Sequence, residues 1–275
     1  MSPLRDIKKI LLPERKFEGS GVRFLQFSDI EFDPFLSIDV FDSKKPEEYV
    51  KGFPWHPHRG FEIITYIIDG RWDHRDKKGY RGLITSGQCH HIVAGSGIIH
   101  QEMPQPSLKL LGFRIWLNLP SIYKMVPPEF NEYTSQNIPR LLDNDAIANV
   151  ISGTYKGVQG AFNGKYSNHM IADVQLKNEA MWSLETNPND NFLIYVINGA
   201  GYFGSNNKYV PDKSLILFES GEKIEVRASL KGIRFLILSG TPIGETVVSA
   251  GPIVMNTKEE VLEAYKEIKE GTFLK

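Results

Sequence analysis

The sequence predicts an all-β protein made of two related antiparallel barrels, followed by a single helix at the C-terminus. Short apolar strands recur at roughly ten-residue spacing and are separated by glycine-containing turns, as in sandwiches and barrels. An apolar strand that ends in a polar residue and a glycine occurs once in each half, at residues 63–70 and 192–199. This weak internal repeat suggests a duplicated barrel.

The strands of the first half are expected in a stretch rich in β-branched and aromatic residues. Asp69-Gly70 is expected to form a hairpin turn after the first of them, because this dipeptide favours tight turns between strands. The predicted strands are residues 61–68, 71–75, 82–85, 90–93, 98–100 and 111–117.

A second strand-rich block covers approximately residues 150–249, with strands expected at 192–199, 201–204, 214–218 and 233–238. Pro127-Pro128 and the polar run 131–137 are interpreted as a connecting segment. A chain of 275 residues is long for one domain, so two domains are expected. We predict a first domain of residues 1–130 and a second of residues 131–275, which includes the C-terminal helix.

The helix is predicted from its capping residues and its apolar spacing. Thr257 and Glu260 have the spacing of a capping box, and Gly271 is placed to end the helix. Apolar side chains between them recur at helical spacing and should pack on one of the barrels: Val261, Leu262, Tyr265 and Ile268.

Composition excludes several classes of function. The formal net charge is −1, so the chain lacks the basic excess of proteins that bind nucleic acid or anionic membranes directly. Cys89 is the only cysteine, so neither an intrachain disulfide nor a multi-cysteine zinc site can form. No apolar stretch is long enough to span a membrane, and no signal core is found near the N-terminus. We expect a monomeric, cytoplasmic protein.

Two short motifs carry the chemistry: His56-Pro57-His58 and His100-Gln101-Glu102. Residues i and i+2 of a strand point to the same face, so each motif places two ligand-type side chains side by side. Two such strands facing each other could bind a metal through three imidazoles and one carboxylate. Imidazole favours Fe, Ni, Cu or Zn, the carboxylate brings Mn into range, and two positions of an octahedral ion would stay open.

The same motifs, in their context, resemble the pirin family of the cupin superfamily. The similar stretches are residues 55–62, 74–76, 94–104, 116–120, 124–128 and 251–257. The resemblance implies two tandem cupin (double-stranded β-helix) barrels with one divalent metal in the N-terminal barrel. It also implies His56, His58, His100 and Glu102 as ligands. Iron(II) is the expected metal, with Mn, Ni, Co, Cu or Zn as alternatives.

Other acidic and histidine residues leave alternatives open. Cupins often use a glutamate four residues after the second histidine of the first motif, and Glu62 stands there. It is therefore an alternative ligand to Glu102, or a partner of a ligand imidazole. His90 and His91 occupy positions where pirins more commonly have other residues, and one of the two should face the barrel interior. His74 is interpreted as structural, paired with Asp76 beside a turn.

The resemblance implies two main functions. The first is a dioxygenase acting on quercetin or a related planar aromatic enol with O₂, in which Glu102 takes the hydroxyl proton of the substrate. The second is a metal- or redox-dependent binding protein that acts with a protein partner such as a transcription factor. The basic residues available for such a partner are Arg71, Arg75, Lys77, Lys78 and Arg81. A weaker third reading is a sugar or keto-acid isomerase, since fold alone does not determine function.

Overall fold

The computed structural model describes residues 3–275, and their contacts divide the chain into two compact units. One unit, called here the first barrel, consists of Glu14–Ser28, Pro34–Ser135 and Ile243–Lys275. The other, called the second barrel, consists of residues 3–13, Asp29–Asp33 and Gln136–Pro242. No hydrogen-bonded sheet among these residues contains strands from both units.

The chain is dominated by strands. In the first part of the chain they are β1 (Ile7–Leu11), β2 (Glu14–Glu18), β3 (Val22–Phe27), β4 (Phe35–Ser43), β5 (Phe53–His58), β6 (Phe61–Asp69), β7 (Arg71–Asp76), β8 (Arg81–Thr85), β9 (Gln88–Val93), β10 (Ile98–Gln105), β11 (Leu110–Asn118) and β12 (Glu129–Tyr133). The later strands are β13 (Arg140–Asp143), β14 (Ala146–Ser152), β15 (Thr154–Tyr155), β16 (Val158–Gln159), β17 (His169–Leu176), β18 (Met181–Glu185), β19 (Asn191–Phe203), β20 (Lys208–Pro211), β21 (Leu215–Phe218), β22 (Lys223–Gly240), β23 (Val248–Ala250) and β24 (Ile253–Met255). Short 3₁₀ helices occupy Ile30–Phe32, Pro46–Glu48 and Ser121–Tyr123, and the α-helix α1 is Lys258–Glu270.

The first barrel has two main antiparallel sheets. A seven-stranded sheet runs β12-β9-β6-β11-β4-β3-β2, and a four-stranded sheet runs β5-β10-β7-β8. Their apolar side chains share one core, in which Phe53 and Trp72 of the smaller sheet pack with Phe41 and Ile67 of the larger. The interior between the two sheets is where β5 and β10 direct their buried residues.

The second barrel is built on one nine-stranded sheet, whose main path is β1-β21-β19-β22-β17-β14-β13. β19 and β22 are long because they bend: β22 pairs with β18 through its first half and with β17 through its second. The core they enclose is apolar, with Trp182, Phe192 and Phe235 among its buried residues. The predicted all-β fold with two barrels and a C-terminal helix is confirmed.

Two predicted turns differ in the structure. Asp69-Gly70 does not close a hairpin, because β6 and β7 belong to different sheets and the chain crosses between them there. At Asn198-Gly199 the strand continues as β19, with the register shifting on both sides and Gly199 at φ 77°. A glycine with positive φ lets a strand bulge and bend without ending. The segment predicted as a linker also contains β12, which pairs with β9.

The N-terminal segment belongs to the second barrel and the C-terminal segment to the first. A division of the chain at residue 130 would place each of them in the opposite unit. β1 pairs with β21, so the N-terminal strand is part of the second barrel. Helix α1 belongs to the first barrel, together with β23 and β24. Arg59 and Ile253 form a parallel bridge there, and Val261 and Ala264 of α1 pack with Met255. Local sequence signals identify a strand or a helix but not the unit on which it packs.

The capping box predicted for the helix is present. The Thr257 hydroxyl accepts from the Glu260 backbone N–H, and the Glu260 side chain accepts from the Thr257 backbone N–H. Gly271 ends the helix in the left-handed conformation at φ 76°. No helix within residues 3–275 is long and apolar enough to cross a membrane.

Candidate metal centre

Three imidazoles meet inside the first barrel. β5 and β10 are antiparallel neighbours, and His56 is directly opposite His100 in their register. His58 follows His56 on the same strand at the spacing that keeps two side chains on one face. One nitrogen from each of the three rings lies within 4.8 Å of the others, so this cluster could hold a metal ion.

The ring nitrogens are arranged as a metal would require. Nδ1 of His56 is 2.8 Å from the carbonyl oxygen of Pro54, which can only accept, so Nδ1 carries the proton and Nε2 has a free lone pair. Nε2 of His56 lies 2.9 Å from Nε2 of His100. Two nitrogens bound at about 2.1 Å and at right angles around one ion are about 3.0 Å apart. The pair therefore fits two adjacent positions of an octahedral ion.

His58 also fits a ligand role. The residue is 2% exposed, and neither of its ring nitrogens makes a well-formed hydrogen bond among the described residues, although the Pro252 backbone acts to raise the pKa of the ring. An unsatisfied buried polar group costs about 1–3 kcal/mol. A metal ion would satisfy one of these nitrogens, so this buried ring is the clearest single indication that the cluster fits a metal.

Burial keeps these imidazoles neutral, as metal ligation requires. Desolvation lowers the pKa of His56, and it lowers the pKa of His58 and His100 well below the usual value. Neutral histidine offers a lone pair, whereas protonated histidine offers none. The cluster can thus bind a cation at neutral pH without a net loss of protons from its rings.

Glu102 shares the buried face of β10 with His100 but is not part of the three-imidazole cluster. Its Oε2 accepts a 2.9 Å hydrogen bond from Nη1 of Arg114. Arg114 also donates from Nε and Nη2 to Oδ2 of Asp39, at 3.0 and 2.8 Å. Burial opposes ionisation of Glu102, but the Arg114 charge outweighs it and lowers the pKa of that carboxyl group. Glu102 is therefore held as a carboxylate.

His74 contacts the cluster directly. Its Nε2 lies 2.7 Å from Nδ1 of His100, and both residues are at most 1% exposed. The charge of Asp76 acts on His74 and raises its pKa against the larger effect of burial, but Oδ1 of Asp76 accepts from the backbone N–H of Tyr80, and the hydrogen bond of the His74 ring is made with His100. The two histidines meet because β7 and β10 are neighbours and their buried faces point the same way.

His90 and His91 point in opposite directions, as the strand alternation predicts. His90 lies toward the cluster, with its ring 5.7 Å from that of His74, and its Nε2 is 2.9 Å from Oε1 of Glu132. His91 instead pairs with Glu62, which is fully buried. Glu62 therefore has a histidine partner that is not one of the three clustered imidazoles.

Aromatic rings line the interior beside the histidines. The Trp116 ring is 5.3 Å from His58 and 4.4 Å from Phe61, centroid to centroid. Phe130, which packs against the same apolar cluster as Trp116, is 5.5 Å from His74 and stacks on Tyr80 at 4.8 Å. Such walls suit a flat apolar group better than a sugar or another strongly hydrated molecule.

Sequence reasoning did not identify Arg114 or the contact made by His74. A signal for Arg114 exists, since it is the one charge within the apolar strand β11. A charge at such a position is buried and needs a partner, but the sequence does not say which carboxylate provides it. His169 lies in the second barrel, apart from the cluster, with Nδ1 3.1 Å from the Ser167 hydroxyl.

Comparison with known proteins agrees with this architecture. Residues 22–117 match the family described as Pirin, and residues 171–274 match the Pirin C-terminal cupin domain. A pirin-like protein of Caulobacter vibrioides is 34% identical over 98% of this chain and 100% of its own length. Pirin-1 of Arabidopsis thaliana is 34% identical over 96% of this chain and 94% of its own.

Solved structures show the same fold. A quercetin 2,3-dioxygenase from Acinetobacter baumannii superposes with a TM-score of 0.90 at 27% identity, covering 98% of both chains. A pirin from Escherichia coli, solved with nickel(II), has a TM-score of 0.66 at 17% identity, covering 85% of this chain and all of its own. Its identity is low enough that this match speaks for the fold alone. Two matched domains and relatives aligned over nearly their full lengths lead to one conclusion: the chain belongs to the pirin family.

Proposed function

We propose that the first barrel is the active site of a metal-dependent dioxygenase that acts on quercetin or a related planar aromatic enol. His56, His58, His100 and Glu102 are the proposed ligands, and iron(II) is the proposed metal. The observation that carries the proposal is the group of three neutral imidazoles within 4.8 Å, one of them without a well-formed hydrogen bond at either nitrogen within residues 3–275. The named activity of the Acinetobacter relative supports the reaction class.

The metal would act as a Lewis acid and as a template for the substrate and O₂. Residues of the chain orient the ligand rings. His56 is oriented by the Pro54 carbonyl, and His100 by His74, so neither ring needs to rotate to meet the ion. Pre-set ligand rings of this kind reduce the reorganisation that binding would otherwise require.

Glu102 has two proposed roles, which place different demands on its carboxylate. As a ligand it must be ionised, and Arg114 secures this by lowering the pKa of Glu102. As a base it must take the hydroxyl proton of the substrate, which a lower pKa makes less favourable. Oε2 is bonded to Arg114, so the other oxygen, Oε1, is the one proposed to face the metal and the substrate.

A flat aromatic substrate is favoured by the rings around the histidines. Trp116 and Phe130 pack against the same cluster as Phe61, and Phe130 also stacks on Tyr80. His56 is the partly exposed member of the cluster, so the proposed approach for the substrate is from its side. The hydroxyl and keto oxygens of an enol would then face the ion while the rings contact the aromatic walls.

The first experiment is reconstitution without oxygen, using Fe(II), Mn(II), Ni(II), Co(II) or Cu(II) in turn. O₂ uptake and loss of the visible absorbance of quercetin are then measured. We expect turnover that depends on the metal and is lost in His56→Ala and His100→Ala, with the fold retained. His169→Ala is the matched control, since this histidine lies in the second barrel. Full metal occupancy in either ligand variant would refute the ligand assignment.

Glu102→Gln tests the carboxylate. This change keeps the size of the side chain and removes its charge, so we expect weaker metal binding and loss of oxygenase activity. A variant that binds the metal less tightly but turns over normally when saturated would leave Glu102 as a ligand and not as a base. Full activity with unchanged affinity would exclude both roles.

A second candidate function is a binding role, favoured by one surface. A shallow cavity of about 610 Å³ on β7 and β8 is lined by Arg71, Arg75 and Arg81. Arg75 and Arg81 are directly opposite each other in the strand register, and Arg75 is already paired with Asp73, which also lines the cavity. Arg71 and Arg81 are therefore the cations proposed to meet an acidic group. An acidic partner segment would fit this surface. Retained binding of an acidic peptide by a triple Arg→Gln variant would refute it.

A further inference from the structure

The hydrogen bonds around His56 have a direction that follows from elementary chemistry. A carbonyl oxygen only accepts, so the 2.8 Å contact with Pro54 fixes the His56 proton on Nδ1. In the neutral ring Nε2 then carries no proton. His56 can therefore only accept at Nε2, whatever approaches it there.

This direction extends to His100 and His74 when no metal is bound. Nε2 of His100 lies 2.9 Å from Nε2 of His56, so the proton shared by that contact belongs to His100. A neutral His100 protonated at Nε2 has a free lone pair at Nδ1. His74 then donates from Nε2 to Nδ1 of His100 across 2.7 Å. The metal-free centre is one chain of donors running from His74 to Pro54.

A metal ion requires the opposite arrangement at His100. The ion takes the Nε2 lone pair, so the remaining proton of a neutral His100 must lie on Nδ1. Nδ1 then donates to His74, and Nε2 of His74 must accept. Since His74 is also neutral, its own proton moves to Nδ1. His74 is 1% exposed, and burial favours the uncharged ring in both arrangements.

We propose that metal binding reverses the His74–His100 hydrogen bond, and that His74 is the positioning residue that holds His100 in its metal-binding tautomer. The inference rests on the metal centre proposed above. The proton of His74 Nε2 passes to His100 Nδ1, the proton of His100 Nε2 leaves to solvent, and His74 Nδ1 takes up one proton from solvent. Each ring carries one proton before and after, so this pair releases none.

The reversal has a consequence for the interior of the barrel. Nδ1 of His74 is buried and has no hydrogen-bond partner among the described residues. In the metal-bound arrangement it becomes an N–H donor, which is costly to leave unpaired. It is therefore placed to hold an acceptor, either an ordered water or an oxygen of the substrate, beside Phe130.

The direct test reads the protonated nitrogen of each ring by long-range ¹H–¹⁵N correlation NMR on histidine-labelled protein. Spectra are compared after removal of metal with a chelator and after loading with Zn(II), which is diamagnetic. We expect His74 and His100 to be protonated at Nε2 without metal and at Nδ1 with zinc. His74→Gln and His100→Gln assign the signals. Either ring keeping its tautomer while zinc binds stoichiometrically would overturn the inference.

Affinity provides a second readout. His74→Phe removes the acceptor for His100, so we expect zinc to bind 10–100-fold more weakly, as when other such supporting contacts are lost. His74→Gln can accept through its amide oxygen and should recover most of the affinity. His169→Gln is the control and should leave the affinity unchanged. Equal affinities for wild type and His74→Phe would remove His74 as a positioning residue.

The two proposals fail in different ways. If the wild-type protein binds no zinc, or if His56→Ala binds it as tightly, the metal centre itself is wrong and the reversal falls with it. If wild type binds zinc and His56→Ala does not, the metal centre stands. In that case the tautomers and the His74 variants decide on the reversal alone.

Discussion

At the scale of single residues, the first barrel stabilises an unusual group of buried charges. Arg114 is 2% exposed and lies between the carboxylates of Asp39 and Glu102, each 1% exposed. Its guanidinium also stacks over the Phe53 ring, 4.3 Å from the centroid. Each charge alone would be expensive to bury, so the three are stable only together. Glu102 is thus positioned by a residue that does not belong to either histidine motif.

Removing the cation from this group should strongly destabilise the folded protein. Arg114→Met leaves the buried Asp39 and Glu102 side chains without their cationic partner, and we expect the free energy of unfolding to fall by about 3–5 kcal/mol. Urea titration of metal-free protein measures it. The matched control is Arg75→Met. The Arg75–Asp73 ion pair is exposed and should contribute less than about 1 kcal/mol to the free energy of unfolding. Equal losses in the two variants would show that the buried group is not special.

The buried histidines predict a dependence of stability on pH. Burial lowers the pKa of His74 from its usual 6.5 to about 4 in the folded protein. The unfolded chain therefore binds more protons between these limits, so stability is complete above pH 6.5 and is lost as the pH falls toward 4. For His74 alone the loss is about 3 kcal/mol. Urea titrations of metal-free protein at several pH values test this, and a flat profile from pH 7 to 4 would contradict it.

At the scale of elements, the C-terminal segment is attached to the first barrel by two buried cations. Lys124 donates from Nζ to the carbonyl oxygens of Gly60 and Val254 and to Oδ1 of Asn118, at 2.8, 3.1 and 2.6 Å. Arg59, next to the first histidine motif, pairs with Glu267 of α1. These contacts connect β24 and α1 to the chain that follows β5. The C-terminal segment therefore helps to hold the strand that carries His56 and His58.

Lys124→Met should weaken this attachment. The change keeps the length of the side chain but leaves three buried acceptors unpaired, so we expect a loss of about 3 kcal/mol in unfolding free energy. Faster hydrogen exchange should appear in β24 and α1 before the rest of the first barrel. Lys266→Met, at an exposed pair with Glu263, is the control and should have almost no effect. Uniform exchange changes across the barrel would argue against a local role.

The capping box of α1 allows a second test at this scale. Thr257→Ala removes the acceptor for the Glu260 N–H, and the expected cost is about 1 kcal/mol. Thr257→Ser keeps that acceptor and should retain most of the stability. Thermal unfolding followed by circular dichroism compares the two. An alanine variant as stable as the serine variant would show that the cap contributes little here.

At the scale of the whole molecule, the two barrels share a fold but not an interior. The second barrel encloses apolar side chains, whereas the first encloses histidines, two carboxylates and an arginine beside its apolar core. Metal binding should therefore stabilise the first barrel and leave the second unchanged. At one hundred times the dissociation constant, a bound ion adds about 2.7 kcal/mol to stability.

This difference can be measured by hydrogen exchange with and without Ni(II) or Zn(II). We expect β5 and β10 to gain protection, because they carry the proposed ligands, while β19 and β22 keep their rates. Chelator treatment should reverse the gain. A similar gain in both barrels, or a gain that survives in His56→Ala, would show that the ion acts elsewhere.

Several features of this protein follow from its sequence alone. Alternation along a strand places His56 beside His58 and His100 beside Glu102, and it separates His90 from His91. Glycine turns and β-branched runs identify most strands, and the spacing of Thr257 and Glu260 identifies the helix start. These are local properties, decided by the geometry of a few consecutive residues.

Other features were decided only by the tertiary structure, because they join residues far apart in the chain. The pairing of β1 with β21, the packing of α1 on the first barrel and the bond from Arg114 to Glu102 depend on which surfaces meet after folding. The contact of His74 with His100 depends on the register between β7 and β10, which a shift of one residue would abolish. The ligand-type residues can thus be identified in the sequence. The groups that orient them or keep them ionised can be identified only in the folded barrel.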